Sequence, residues 1–287
     1  MSVPAQRLRT VAGGLCFGEG PRWHEGRLWF SDMHGGQVLA MSPAGALETI
    51  VEVPGRPSGI GWLPDGSMLV VSMTDRRVLR LAVGSRTLVE HADLSALAGW
   101  HCNDMVVDGA GRAYVGNFGF DIDRRAEPVS TCLVLVEPDG RARVAAEGLE
   151  FPNGAVITPD GATLIIGESF GRRLSAFAID GDGSLSGRRV WAELDGAAPD
   201  GICLDTEGAI WIASPLGHQV LRVGEGGGVL DRIDVGERNA YACMLGGPDR
   251  RTLYICTARS SNPEKTVQQR AGQIDVVDVD VPGCGWP

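Results

Sequence analysis

The sequence predicts an all-β fold, a six-bladed β-propeller with four antiparallel strands in each blade. Three observations predict it. Six similar segments recur along the chain, and they start roughly 40 to 50 residues apart. The last repeat lacks a fourth strand, while an extra strand precedes the first repeat. A unit of that length holds four strands, which is one propeller blade. We therefore expect one propeller domain over residues 1–287.

Each of the six segments has the pattern of a β-hairpin. A short apolar run is followed by a turn rich in Pro, Asp and Gly, and then by a run of β-branched and aromatic residues. Examples are "PSGIGWLPDGSMLVVS" (57–72) and "PNGAVITPDGATLIIGES" (152–169). Four segments clearly continue into a third and a fourth strand, as in "RVLRLAV" followed by "TLVEHADL". Helical content is expected to be minimal.

The two ends of the chain indicate how the ring closes. The last repeat stops after its third strand, "GQIDVVDVD" (272–280), while the N-terminal "TVAGGLCFGEG" (10–20) matches "VAAEGLEFPNG" (144–154), a fourth strand followed by the start of a blade. We therefore expect the N-terminal strand to complete the last blade, which removes exposed sheet edges. An open β-sandwich, the alternative fold, does not predict this mismatch.

One position at the start of every repeat is predicted to form a ring at one mouth of the channel, because the first strand of each blade is the innermost. In chain order this ring position holds Glu19, Ser58, Asn103, Asn153, Asp200 and Ala242. Four of these residues carry carboxylate or amide oxygens, and their formal charge of −2 suits a hard divalent cation. The preference of Asn and Asp for turns explains one such residue before a strand. It explains less readily why a carboxylate or amide residue recurs at the same position in four blades.

Other side chains are candidates for contact with a substrate at this mouth. His101 lies two residues before Asn103, and His34 follows the second strand of the first blade. Phe118 and Asp121 belong to a long segment after a second strand, "NFGFDIDRRAEP". Asp104, next to Asn103, is expected to orient its amide.

Two segments interrupt blades and are candidate walls or lids over the mouth. They are 117–128 and the polar stretch 259–272. Binding residues are frequently carried by loops on a rigid scaffold. The recurring Asp of the "PDG" turns is expected to be structural.

Composition excludes several classes of protein. A net charge of −10 argues against binding to nucleic acid, which needs a basic surface. No apolar stretch reaches about 18 residues, so no membrane association is expected. The seven cysteines are an odd, scattered set without a CxxC pair, which indicates reduced, buried thiols and a cytoplasmic location. The chain is expected to act as a monomer or small homo-oligomer.

Four motifs, in order and at blade spacing, resemble the SMP-30/gluconolactonase/regucalcin family over nearly the whole chain. They are "GEGPRW", "ND…D..GR.YVG", "PNG…PDG.TL" and "PDG…D.EG..W.A". The resemblance implies that Glu19, Asn153 and Asp200 bind one divalent metal and that Asn103 binds the metal or the substrate. Asp200 would also be the general base. Ca²⁺ is the favoured cation, with Mg²⁺, Mn²⁺, Zn²⁺ and Fe²⁺ as alternatives.

The sequence departs from the family pattern in two places. Sugar lactonases that resemble regucalcin carry an arginine where this chain has His101, and segment 117–128 differs from theirs. These departures leave the metal ligands in place and concern the substrate.

The favoured interpretation is metal-assisted hydrolysis of a small lactone or ester by carboxylate-assisted attack of water. Two alternatives stay open. One is hydrolysis of phosphotriesters on the same fold, and the other is a calcium-binding or interaction propeller without catalysis, because fold alone does not decide function.

Overall fold

The computed structural model describes residues 8–285 and has the predicted six-bladed β-propeller, built from six four-stranded antiparallel sheets. In the first five blades the strands follow chain order from the inside to the outside. The first three blades consist of β2 (Gly18–His24), β3 (Arg27–Asp32), β4 (Gln37–Met41) and β5 (Leu47–Glu52); β6 (Pro57–Trp62), β7 (Met68–Ser72), β8 (Arg77–Leu81) and β9 (Leu88–Asp93); and β10 (Cys102–Val107), β11 (Ala113–Asn117), β12 (Thr131–Val136) and β13 (Ala142–Leu149).

The remaining blades have the same plan. They consist of β14 (Pro152–Ile157), β15 (Thr163–Glu168), β16 (Arg173–Ile179) and β17 (Leu185–Glu193); β18 (Ile202–Leu204), β19 (Ile210–Ser214), β20 (Gln219–Val223) and β21 (Val229–Asp234); and β22 (Asn239–Gly246), β23 (Thr252–Ala258) and β24 (Gly272–Asp278), completed by β1 (Arg9–Leu15). A 3-10 turn spans Met33–Gly35, and helix α1 spans Pro263–Gln269.

The ring closes through the N-terminal strand, as predicted. β1 pairs antiparallel with β24, with Arg9 opposite Val276 and Leu15 opposite Gly272. The sixth blade therefore takes its outer strand from one end of the chain and its other three strands from the opposite end. This pairing covers the edge that β24 would otherwise present to solvent.

Burial decreases from the inner to the outer strands, which explains the residue pattern of each repeat. The second strands β7 and β11 are buried at every position, because each lies between two neighbouring blades. Outer strands such as β5 and β17 are mostly exposed and carry the charged residues.

Glycines allow the inner strands of neighbouring blades to approach closely. A Cβ on Gly59 would lie 2.2 Å from the backbone nitrogen of Met105, and one on Gly154 would lie 2.6 Å from both the carbonyl oxygen of Asp200 and the nitrogen of Ile202. Real Cβ atoms do not come so close to backbone, so these positions require glycine. The recurring glycine after the ring position is thus a packing requirement of the channel.

The aspartates of the hairpin turns are structural, as expected. The carboxylates of Asp65, Asp139 and Asp160 accept backbone N–H groups two residues ahead, at 2.9, 3.1 and 3.0 Å. These bonds are the main cause of the lowered pKa of Asp65 and Asp139, whereas the pKa of Asp160 is lowered first by the Thr158 hydroxyl and then by its backbone bond. They hold the turn geometry.

The two interrupting segments differ in structure. After Asn117, the last residue of β11, segment 117–128 has turns but no strand, whereas 259–272 contains α1, which the sequence pattern did not predict. The side chain of Asn262 caps α1 by accepting the N–H of Lys265 at 3.1 Å, and Pro263 opens the helix.

All seven cysteines are free thiols, and six of them are buried, as the scattered spacing predicted. Within residues 8–285, no helix has both the length and the apolar character needed to cross a membrane.

Candidate metal centre

The four oxygen-bearing ring residues come together at the floor of one cavity of about 760 Å³. Glu19 lies in β2, Asn103 in β10 and Asn153 in β14, while Asp200 lies two residues before β18. Glu19, Asn103 and Asn153 are 8%, 5% and 7% exposed. Four segments separated by 47 to 84 residues therefore meet at one site, as the ring predicted.

A backbone irregularity accompanies the ring position in most blades. The register of the inner strand shifts between Glu19 and Arg22, between Pro57 and Ile60, between Cys102 and Met105, and between Pro152 and Ala155. Such bulges bend a strand and redirect its side chains, and they recur beside active sites. They explain why polar side chains on otherwise buried strands face the channel.

Hydrogen bonds hold the two amides unequally. The Nδ2 of Asn153 donates to Ser169 Oγ at 3.1 Å, and that hydroxyl donates to the carbonyl oxygen of Pro199 at 2.6 Å. Asn103 accepts only a long bond of 3.4 Å from Ser58, and its buried Nδ2 has no partner among the described residues. The Asn103 amide is therefore free to turn toward a bound species.

Within residues 8–285 Glu19 and Asp200 make no ion pair, and their charges repel each other. Burial raises the pKa of Glu19 well above its usual range, and the charges of Asp200 and Asp104 raise it further. Burial likewise raises the pKa of Asp200 to about 8, with a smaller contribution from Asp104 and an opposing one from the Asn153 amide. The site therefore has to take up a proton or a cation.

Arg22, the cation whose charge acts on Glu19, forms its ion pair with a different acid, Asp104. The guanidinium of Arg22 donates to Asp104 Oδ1 at 2.7 Å and to the carbonyl oxygen of Met105 at 2.6 Å. Asp104 Oδ1 also accepts the N–H of Met105, at 2.9 Å. No hydrogen bond joins Asp104 to the Asn103 amide, so the expectation that Asp104 orients this amide is wrong. Its partner is Arg22, 82 residues away, and no local pattern pairs the two.

The donor set fits a hard divalent cation. Two carboxylates and two amides present oxygen atoms to the same space, and oxygen is the ligand that Ca²⁺, Mg²⁺ and Mn²⁺ prefer. Within residues 8–285 no group of three or more His, Cys, Asp or Glu side chains is placed to hold a metal. A ligand set at this site would therefore have to include the amides of Asn103 and Asn153.

A second ring of side chains lies two residues before the first and borders the same cavity. Ala198, two residues before Asp200, also borders the cavity; in four other cases the residue's carbonyl oxygen accepts the N–H that follows the second strand of its blade. The four residues and these N···O distances are Phe17 (2.8 Å), Arg56 (2.9 Å), His101 (2.9 Å) and Phe151 (3.1 Å). Only His101 was predicted from the sequence. The other three share its position, two residues before a ring residue and directly before an inner strand, and this repeated position is the signal that could have found them.

His34 and His101 both line the cavity, as expected for substrate contacts. The Nδ1 of His34 lies 2.7 Å from Thr266 Oγ1 in α1, and burial lowers the pKa of this histidine to about 4, with Arg56 adding to the effect. Burial also lowers the pKa of His101, while Asp123 opposes the change. Both imidazoles are therefore neutral near pH 7.

Segment 117–128 borders the cavity, but not through all the predicted residues. Phe118 lines it and stacks on Phe151 with ring centroids 4.5 Å apart. Asp121 does not line it, because its carboxylate accepts the N–H of Arg124 at 3.1 Å and so stabilises its own loop. Asp123 occupies the cavity wall in its place. The expectation for Asp121 therefore needs correction.

Segment 259–272 also borders the cavity. The residues that do so, from Ser260 to Pro263, precede and begin α1. Their position agrees with a wall of the mouth, and closure by either segment stays a prediction.

Comparisons with known proteins agree with this architecture. A family model described as "SMP-30/Gluconolactonase/LRE-like region" matches residues 17–259. The chain is similar to a 6-deoxy-6-sulfogluconolactonase of Pseudomonas putida, at 28% identity over 285 residues, 94% of each chain. It is also similar to the pentonolactonase XacC of Haloferax volcanii, at 31% identity over 256 residues, 87% of this chain and 84% of that one.

Among solved structures, a calcium-binding protein, regucalcin, from Agrobacterium tumefaciens superposes with a TM-score of 0.83. The superposition covers 100% of this chain and 98% of that chain at 23% identity. At this identity the likeness shows the fold.

Proposed function

The chain belongs to the SMP-30/gluconolactonase/LRE-like family, and from that premise we propose that it is a divalent-metal-dependent lactonase. The observation that carries the proposal is the floor of the cavity, which Glu19 and Asp200 line together with the amides of Asn103 and Asn153 and where neither carboxylate has an ion-pair partner among residues 8–285. This floor opens into a space large enough for a small cyclic ester.

The names of the relatives support the reaction class. Two of them, each matched over most of its length, act on lactones according to their names. The calcium-binding regucalcin with the same fold supports Ca²⁺ as the favoured cation.

The ligands of the cation would be Glu19, Asn103, Asn153 and Asp200. When bound there, the cation supplies the positive charge that polarises an ester carbonyl. The Asn103 amide, which lacks a firm partner in the protein, is suited to bind either the cation or the substrate. The neutral His34 and His101 and the ring of Phe118 form part of the wall that positions the lactone.

Asp200 is the proposed general base. Its carboxylate accepts a proton from water as the water oxygen attacks the carbonyl carbon. The ring C–O bond then breaks, and the proton passes to the departing alkoxide, so the product is an open-chain hydroxy acid. Each proton taken from water at Asp200 is returned within the same turnover.

The proposal is tested with a panel of substrates before and after chelation. Neutral γ- and δ-lactones, sugar lactones and a phosphotriester are assayed by pH-stat with purified protein, with EDTA-treated protein, and after return of Ca²⁺, Mg²⁺, Mn²⁺ or Zn²⁺. We expect hydrolysis of at least one lactone, its loss on chelation, and its recovery with one or more cations.

Each contrary result points to a different alternative. Full lactone hydrolysis after exhaustive chelation contradicts the metal mechanism. Hydrolysis of the phosphotriester alone favours the phosphotriesterase alternative. Tight cation binding without turnover of any substrate favours a propeller that does not catalyse.

Cation affinity is expected to rise with pH up to about pH 8. Without a cation, Asp200 has a pKa of about 8 and that of Glu19 is also raised, so below pH 8 a cation has to displace a proton. Release of one proton predicts about a tenfold gain in affinity per pH unit between pH 6 and 8. Calorimetric titration with Ca²⁺ in buffers of different ionisation enthalpy measures both quantities. Affinity independent of pH, with no proton release, would contradict the raised pKa values.

A further inference from the structure

We propose that the cavity selects lactones that carry an anionic group, and that the guanidinium of Arg56 binds this group. The inference rests on the proposed lactonase function and names its substrate class. It is carried by the second ring, in which Phe17, His101 and Phe151 surround the cavity together with Arg56.

Arg56 is the one permanently charged member of the second ring. Its neighbours in the ring are two phenylalanines and a histidine whose pKa burial lowers. Its side chain is half-buried, and among residues 8–285 it makes no ion pair or side-chain hydrogen bond. A half-buried guanidinium in an aromatic layer favours an anion, because its five donors and fixed charge match carboxylate, sulfonate or phosphate oxygens.

The backbone fixes Arg56 in this position. Its φ angle is +63°, a conformation that residues with a side chain rarely adopt. Two hydrogen bonds hold it there: its N–H donates to Val53 at 3.1 Å, and its carbonyl accepts from Met73 at 2.9 Å. Phe151, which also precedes a proline, has a φ of +62°. Uncommon backbone conformations that are fixed in this way are frequent at ligand sites.

The charges around the cavity are separated. The acidic groups Glu19 and Asp200 lie at the floor, where a bound cation would balance their charge, whereas the rim carries the exposed guanidiniums of Arg125 and Arg172 beside a single acid, Asp123. Neither rim arginine has an ion-pair partner in the described part of the chain. A cleft with this polarity attracts anions to its mouth, while the floor is left for the ester group.

The second ring is poorly suited to a neutral, polyhydroxylated sugar. Hydroxyl groups donate as well as accept hydrogen bonds, yet this ring has no carboxylate or amide side chain, and its one side-chain acceptor is the neutral imidazole of His101. Phe118 and Phe151, stacked at an interplanar angle of 17°, instead present an apolar wall. The occupant that fits is a small lactone with an apolar ring face and a carboxylate, sulfonate or phosphate away from the ester carbonyl.

The test compares two lactones that differ only in charge. One is γ-butyrolactone with a carboxylate on its γ-carbon, and the other carries the corresponding neutral carboxamide. We expect the cation-loaded protein to favour the carboxylate by about tenfold or more in kcat/KM. Arg56→Met should remove this preference, mainly through KM, and leave the carboxamide within about twofold; Arg56→Lys should restore part of it.

Arg232→Met is the matched control, because Arg232 is an exposed arginine of the outer strand β21 that makes no ion pair with any residue from 8 to 285. It changes the net charge equally and should keep the wild-type preference. Equal rates on the two lactones in the wild type, or a preference that survives Arg56→Met, would overturn the inference while the lactonase function stands.

If neither lactone is hydrolysed, binding of the carboxylate lactone to the cation-loaded protein, measured by calorimetry, tests the anion site directly. Binding that depends on Arg56 supports the anion site although the proposed activity on these lactones fails. Absent binding, or binding unchanged in Arg56→Met, overturns the inference.

Discussion

Replacing Asp200 with asparagine is expected to lower kcat for lactone hydrolysis by about 10²- to 10⁴-fold at saturating cation, the usual contribution of a general base. The amide keeps the size of the carboxylate but cannot take a proton from water. It also reduces the formal charge of the ligand set from −2 to −1, so the cation concentration needed for saturation should rise. Steady-state kinetics over a range of cation concentrations separates these two effects.

The matched control is Asp195→Asn. Asp195 is an exposed aspartate in the loop before Asp200 and makes no ion pair in the described residues. This variant should retain wild-type kcat and cation affinity. Full activity of Asp200→Asn at saturating cation would remove the base role from Asp200 and make Glu19 the next candidate.

Replacing Arg22 with methionine is expected to lower the free energy of unfolding by about 3–5 kcal/mol. Arg22 and Asp104 are 3% and 5% exposed, and their 2.7 Å ion pair crosses from the first blade to the third at the channel. Without the guanidinium, the buried carboxylate of Asp104 has no opposite charge beside it. Chemical denaturation followed by tryptophan fluorescence measures the change.

Two further variants separate the effect of losing a buried ion pair on stability from the effect of losing any arginine charge. Arg27→Met breaks an ion pair of the same length whose partner, Glu48, is largely exposed, and should cost no more than about 1 kcal/mol. Adding Asp104→Asn to Arg22→Met should recover much of the stability, because it removes the unpaired charge. A loss in Arg22→Met no larger than that in Arg27→Met would show that this ion pair has no special structural role.

The fold followed from the sequence because its signal is local and repeated. Each hairpin is recognisable from the alternation of apolar residues and from its turn residues. Six copies at similar spacing are compatible with few folds other than a six-bladed propeller. The four motifs that indicated the family are confirmed by the match over residues 17–259. Closure by β1 was also predictable, since the missing fourth strand at one end matched the extra strand at the other.

The candidate site was predicted in part. Glu19, Asn103, Asn153 and Asp200 were brought together by register alone, and the structure places all four at one cavity floor. The metal and catalytic roles remain proposals. Asp121 was misplaced because a loop without periodicity gives no indication of which side chain faces inward.

What the sequence by itself determined is the period: the number of blades, the order of their strands and the register that aligns the ring. Tertiary structure alone decided which neighbours those residues meet. Three features depend on contacts between segments that are far apart in the sequence: the pairing of Arg22 with Asp104, the helix α1 beside His34, and the guanidinium of Arg56, which has no partner among the described residues. The physical reason is that strand alternation is a property of consecutive residues. The charge and burial that set the chemistry arise only when remote segments share one space.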